Sequence, residues 1–252
     1  MGQEFASNGY VVFLLDHHDG SSVYTTLRDG SAKVFEKGQV TPDKAFKIQN
    51  EATEKAKKFW YEKIEVRTRE VRALIDEVCR EGVMQKVLGD KNIKPKLDLD
   101  KLIVAGHSMG GATALSAGDV DARIKAVLVH DPWGRIIEPK IQNFGPLLQK
   151  PVQMTNTLWH AMMYLGKDPL GQHFEKRIEK KEAYECLIVD KTDHFYQCDT
   201  STICPFDIEL VITLSYYLQG LLHLKSDFLI PSTRKAGINQ YFYALWLKYL
   251  QK

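Results

Sequence analysis

Apolar residues are grouped along this chain in two ways. Five short runs, at 11–15, 102–105, 126–129, 152–155 and 186–189, are dense in Val, Ile and Leu without strict polar alternation. Such runs predict parallel strands covered on both faces, because a strand with one wet face alternates apolar with polar positions. Elsewhere apolar positions recur every three or four residues. The longest such stretch covers 43–88, where Phe59, Ile64, Val71, Leu74, Ile75 and Val78 keep roughly helical spacing. Thr41-Pro42-Asp43 marks its start, a capping residue followed by a proline with no N–H to lose in the first turn. The stretch is longer than ordinary globular helices, so a kink or break is expected inside it.

Further helices are predicted after Gly110, over 206–224 and over 239–250, and 90–100 reads as a polar loop. Strands alternating with helices predict an α/β fold on a mainly parallel sheet with helices on both faces. No repeat or low-complexity segment interrupts the chain. Its 252 residues suffice for one buried core, so 1–252 is read as a single domain.

Composition changes this picture little. With 44% hydrophobic and 26% charged residues the chain is globular rather than disordered. A net charge of +2 excludes a generally basic nucleic-acid binder, and the Lys-rich stretches 55–58 and 176–181 read as solvated helix faces. No apolar run reaches the ~18 residues of a transmembrane helix. The first nine residues lack the pattern of a signal peptide, so a cytoplasmic protein is expected. Of the four cysteines, Cys79 and Cys186 lie in apolar periodic segments and are expected in the core. Cys198 and Cys204 share a loop, close enough in sequence to pair in an oxidising compartment. No CxxC occurs, so no structural zinc is expected.

Chemistry enters at Gly106-His107-Ser108-Met109-Gly110, followed by Gly111. Five residues of the form G-x-S-x-G recur by chance, so the surroundings decide. The apolar run 102–105 ends at the motif, and Ala112-Thr113-Ala114-Leu115 begins a helix after it. Strand, sharp turn and helix form the nucleophile elbow, which lifts a serine hydroxyl clear of the sheet. Gly106 and Gly110 are expected to remove Cβ atoms that would clash there. A helix N-terminus at Ser108 favours developing negative charge, and the Met109 N–H is placed to donate to an oxyanion.

A serine nucleophile needs a base, and the base needs an orienting acid, in the chain order Ser, Asp or Glu, His. Asp131 follows the run 126–129 at a carboxyl end of the parallel sheet. The next run ends at Asn156, which carries no charge. Of eight histidines, His17, His18 and His107 precede Ser108, and His130 precedes the acid. His160, His173 and His223 fall in predicted helices, which suits structural roles. His194 lies in the loop Asp190-Lys191-Thr192-Asp193-His194 after the last apolar run. A loop there can swing a base over the nucleophile. Ser108, Asp131 and His194 are therefore the expected catalytic residues, with no metal or organic cofactor required.

With these residues in place, the sequence resembles the platelet-activating-factor acetylhydrolase family of lipoprotein-associated and intracellular type II phospholipases, members of the α/β-hydrolase superfamily. The matching segments are Phe5-Ala6-Ser7-Asn8-Gly9-Tyr10-Val11-Val12, Asp16-His17-His18-Asp19-Gly20-Ser21-Ser22, Gly106 through Thr113, and Asp131-Pro132-Trp133. The loop around His194 and the segment 235–247 match more loosely. The resemblance implies calcium-independent hydrolysis of a short or oxidised sn-2 acyl group of a phospholipid, with contact to a lipid surface. It also implies an acid after the same strand, in agreement with Asp131.

Family members carry further strands before the segment matching 5–12, with a loop that supplies one oxyanion-hole N–H. Only nine residues precede Tyr10, so the sheet is expected to lack its first strands and the oxyanion hole one donor. A lost donor costs roughly 10²–10³ in kcat. That keeps open a non-catalytic lipid-binding or interaction protein, beside the separate alternative of a general short-chain carboxylesterase of the same fold. Trp133, beside the acid, either lines the acyl pocket or serves as a core aromatic. Tyr241, Phe242, Leu245, Trp246, Tyr249 and Leu250 form an apolar helical face that docks on the core or on a membrane interface.

Overall fold

Near the start of the chain, Gly2–Ser7 forms a short helix, α1, and Tyr24–Thr26 (β1) pairs antiparallel with Ala32–Val34 (β2). The computed structural model describes residues 2–22, 24–34, 54–89, 92, 97–141, 143–157, 160, 172, 184–189, 192 and 194. The hairpin was not expected, since three-residue strands leave little periodicity to read. Residues 11–15, expected as a buried strand, form none, and Leu14 is 85% exposed. An apolar run lowers the cost of burial but supplies no pairing partner, and a strand is defined by its partner.

The long helical stretch is two helices, α2 (Glu54–Val78) and α3 (Val83–Leu88). The expected break falls at Gly82, whose φ of 79° suits a residue without Cβ. The expected start at Asp43 lies outside the described residues. Trp60, Ile64, Thr68, Val71 and Ile75 are buried at steps of three or four residues, one stripe of the helix. Cys79, expected in the core, is exposed, because it follows the end of α2 beyond that stripe. Cys186 is partly buried against the core. The family-like segment at 16–22 is tied to α2 by an ion pair from Arg67 Nε to Asp19 Oδ2 (2.7 Å) and by a hydrogen bond between His17 Nδ1 and Glu70 Oε2 (2.7 Å).

Four of the five predicted strands form one parallel sheet in the order β3-β4-β5-β6. They are Ile103–His107 (β3), Ala126–His130 (β4), Val152–Thr157 (β5) and Tyr184–Val189 (β6). The register sets His107 beside His130, and His130 beside Thr155. Every residue of β4 and β5 is buried, as expected for strands covered on both faces. Helix α4 (Met109–Val120) lies on β3 and β4, and α2 packs on α4. The core between them gathers Ile64, Leu115, Val127, Val129, Leu147 and Val152. After β4 come a 3-10 turn at Gly134–Ile137, the short helix α5 (Glu138–Ile141) and another 3-10 turn at Pro146–Gln149.

This is an α/β arrangement: a parallel sheet with α4 packed on it and α2 packed on α4. The predicted helices 206–224 and 239–250, the stretch 176–181, His173, His223, Cys198, Cys204, Asp190 and Asp193 lie outside the described residues. No described helix is long and apolar enough to cross a membrane. Because the strands are parallel, their carboxyl ends share one edge, and Ser108, Asp131 and Thr157 all lie there.

Candidate active site

Ser108 is the turn between β3 and α4, with φ 56° and ψ −118°. A non-glycine residue there is strained, and the surrounding backbone holds it in place. The Ser108 N–H donates to the His130 carbonyl (3.0 Å), and the Ser108 carbonyl accepts from Trp133 N–H (3.0 Å) and Ala112 N–H (3.1 Å). A Cβ on Gly106 would overlap the Gly110 carbonyl, and one on Gly111 would lie 3.0 Å from Pro132 Cα. Gly110, expected to be crowded as well, has open space where its Cβ would be, so Gly106 and Gly111 are the sterically required pair. Met109 opens α4, where first-turn N–H groups stand outside the helical ladder.

Asp131 leaves β4 in a second strained conformation, φ 38°, and is fully buried. Its Oδ1 accepts from the Thr157 N–H (2.7 Å), and its Oδ2 accepts from the Thr157 hydroxyl (2.8 Å) and from His194 Nδ1 (3.1 Å). Across the ring, His194 Nε2 lies 2.9 Å from Ser108 Oγ. Burial pushes the Asp131 carboxyl up, but the His194 hydrogen bond, the nearby imidazoles and the Thr157 N–H outweigh it and hold its pKa below the usual value. An ionised acid, an imidazole and a serine hydroxyl thus stand in one hydrogen-bonded line. Ser108, Asp131 and His194, picked from the sequence, are brought together.

Three more histidines surround this line. The His107 ring lies 4.5 Å from that of His194, centroid to centroid. Burial, reinforced by His194, pushes its pKa down to about 4. His130 is fully buried, which pushes its pKa down to about 3. Burial lowers His160 as well; its Nε2 lies 3.2 Å from the Pro132 carbonyl, and its Nδ1 lies 3.9 Å from Asp131 Oδ1. Among the described residues, His194 is the imidazole in contact with both Asp131 and Ser108. His160, expected as a structural residue of a helix, is helical and stands beside Asp131, whereas Thr157 was not among the expected site residues. The available signal was weak: three polar residues, Thr155, Asn156 and Thr157, at the carboxyl end of a buried strand beside the one bearing the acid.

Ligand-type atoms of His107, Asp131 and His194 lie within 4.8 Å of one another, but both ring nitrogens of His194 are engaged with Asp131 and Ser108. Trp133 is partly buried with its ring 5.3 Å from that of Trp60, so one face packs on the core. Its N–H also braces the elbow.

The family model described as platelet-activating factor acetylhydrolase, isoform II, matches residues 1–219. A platelet-activating factor acetylhydrolase of Canis lupus familiaris is 28% identical over 145 residues, covering 53% of this chain and 31% of its own length. One of Cavia porcellus is 30% identical over 138 residues, with the same coverages. The chain therefore spans about a third of the curated relatives it matches. A solved structure, a dienelactone hydrolase-like promiscuous phosphotriesterase from metagenomic libraries, is 16% identical, with 71% of this chain and 62% of that one covered and a TM-score of 0.32.

Proposed function

This chain belongs to the platelet-activating factor acetylhydrolase isoform II family, and from that premise we propose that it is a calcium-independent serine esterase cleaving the short or oxidised sn-2 acyl ester of phospholipids. Ser108 Oγ attacks the ester carbonyl carbon while its proton passes to His194 Nε2. Asp131 holds the Nδ1–H and balances the charge on the ring. The Met109 N–H donates to the oxyanion. Collapse breaks the bond to the lyso-lipid oxygen, which takes the proton from Nε2. Water, deprotonated by the same nitrogen, then releases the acid and restores Ser108. Every step is routed through protein groups.

The observation that carries this reading is His194, bridging Ser108 Oγ at 2.9 Å and Asp131 Oδ2 at 3.1 Å. The strain at Ser108 and Asp131 adds to it, since strained backbone clusters at working sites. The family supplies the substrate class. Trp133 is proposed to line the acyl side through the part of its ring not packed on Trp60, and a lipid surface is the proposed partner.

The test is a fluorophosphonate label located by peptide mass spectrometry, with release of a short sn-2 acyl group followed in excess chelator. Labelling at Ser108 and unimpaired turnover in chelator are expected, and Ser108→Ala should lose both, with kcat/KM down by at least ~10³-fold. Loss of turnover in chelator would remove the calcium-independent reading. Equal or better turnover of soluble monomeric esters would favour a general carboxylesterase. Labelling elsewhere, or none on folded protein, would end the Ser108 assignment.

A further inference from the structure

Both oxygens of the Asp131 carboxylate are held by one residue. Thr157 donates its backbone N–H to Oδ1 at 2.7 Å and its hydroxyl to Oδ2 at 2.8 Å. Thr157 is the last residue of β5, fully buried and registered against Val189 of β6, so its backbone is pinned by the sheet. The terminal torsion of an aspartate is otherwise soft, because rotation about an sp³–sp² bond has broad minima. One donor on each oxygen fixes the carboxylate plane. Oδ2 then keeps a lone pair for His194 Nδ1, 3.1 Å away.

The hydroxyl itself is held. Its single proton goes to Asp131, and it accepts the His160 backbone N–H at 3.2 Å. The Thr157 N–H occupies Oδ1, the oxygen that faces His160 Nδ1 at 3.9 Å. The carboxylate is thereby turned toward His194 and not toward the second imidazole beside it.

We propose that Thr157 is a positioning residue for the reaction: its hydroxyl fixes the rotation of the Asp131 carboxylate, which aims His194 Nε2 at Ser108. The proposal rests on the esterase reading for its kinetic consequence but not for its geometry. Thr157→Val removes the hydroxyl and keeps shape, volume and backbone N–H, whereas Thr157→Ser keeps the hydroxyl.

The experiment compares wild type, Thr157→Val and Thr157→Ser on p-nitrophenyl acetate, alongside the rate of fluorophosphonate labelling at Ser108 and thermal melts. In Thr157→Val, kcat is expected to fall roughly 10- to 100-fold, the loss of a hydrogen bond to a charged group, with KM within about twofold. Labelling should slow in proportion, and Thr157→Ser should recover most of the loss. A second readout needs no turnover: the low-field ¹H NMR signal of the His194 Nδ1–H, identified by its absence in His194→Ala, should move in Thr157→Val and return in Thr157→Ser.

Unchanged kinetics and an unmoved signal in Thr157→Val overturn the proposal, as does equal loss in both variants. Should Thr157→Val fail to fold, Thr157→Ala removes the same hydroxyl and is judged by the same criteria. Wild-type protein without esterase activity would instead count against the esterase reading, and the NMR comparison would still decide the role of Thr157.

Discussion

Gly106 and Ser108 show how much a single residue decides here. Ser108 stands out in the sequence by its neighbours, and two of them, Gly106 and Gly111, are there because the fold leaves little or no room for a Cβ. A Cβ on Gly106 would overlap the Gly110 carbonyl and lie 2.7 Å from the Gly111 nitrogen, both backbone atoms that cannot rotate away. Gly106→Ala is therefore expected to cost several kcal/mol, roughly the 3 kcal/mol or more at the severe end of point mutations. A denaturant midpoint close to wild type would contradict that. Gly118 is a milder case: its Cβ would meet Val127 Cγ2 at 2.6 Å, a side chain able to shift. By contrast, nothing about Thr157 as a letter distinguishes it from other polar strand residues. Its two hydrogen bonds to Asp131 depend on β4 and β5 lying side by side, which local sequence does not encode.

At the scale of elements, α4 joins the chemistry to the core. It begins directly after Ser108 and buries Leu115 completely. Leu115→Ala removes a fully enclosed side chain and leaves a cavity, at an expected cost of about 2–5 kcal/mol. Thermal denaturation should show a lower Tm, and activity below the new transition should be largely retained, since Ser108 is held by backbone bonds to His130 and Trp133. A wild-type Tm would show that α4 is not packed as described. Periodicity placed four parallel strands to within a few residues and called for a helical stretch with a break inside it, without saying where the break falls. It erred at 11–15, where apolar density matched the strand pattern but no described partner completes a ladder, and it missed the β1–β2 hairpin.

For the molecule as a whole, the buried histidines make stability depend on pH. His107 and His130 are held neutral mainly by burial, with pKa values of about 4 and about 3 against the usual 6.5. Between those values and 6.5 the unfolded chain binds protons that the folded protein does not. Their stabilising contribution is therefore fully present above pH 6.5 and is lost as pH falls toward 4 and then 3. At pH 5 each costs about 2 kcal/mol relative to neutral pH. Asp131 and Asp19, whose folded pKa values lie below the usual 3.8, act with the same sign at lower pH, their stabilisation disappearing as pH falls through the depressed values. Urea unfolding at pH 7 and pH 5 should give a clearly lower midpoint at pH 5, and His130→Gln should shrink the difference. Equal midpoints would mean that these rings are not held neutral in the fold.

Adjacent residues carry what the sequence determined alone. The turn at 106–110, the parallel strands, the helix after Ser108, and the places of Asp131 after β4 and His194 after β6 all follow from spacing and chain order, because each depends on a few consecutive positions. Tertiary structure decided the rest. It set which strands pair, left 11–15 without a ladder, gathered His107, His130 and His160 around the working line, and seated Asp131 on Thr157. Those outcomes depend on residues more than twenty positions apart meeting at one sheet edge, and a meeting of that kind is fixed by packing and pairing across the whole fold rather than by any local pattern.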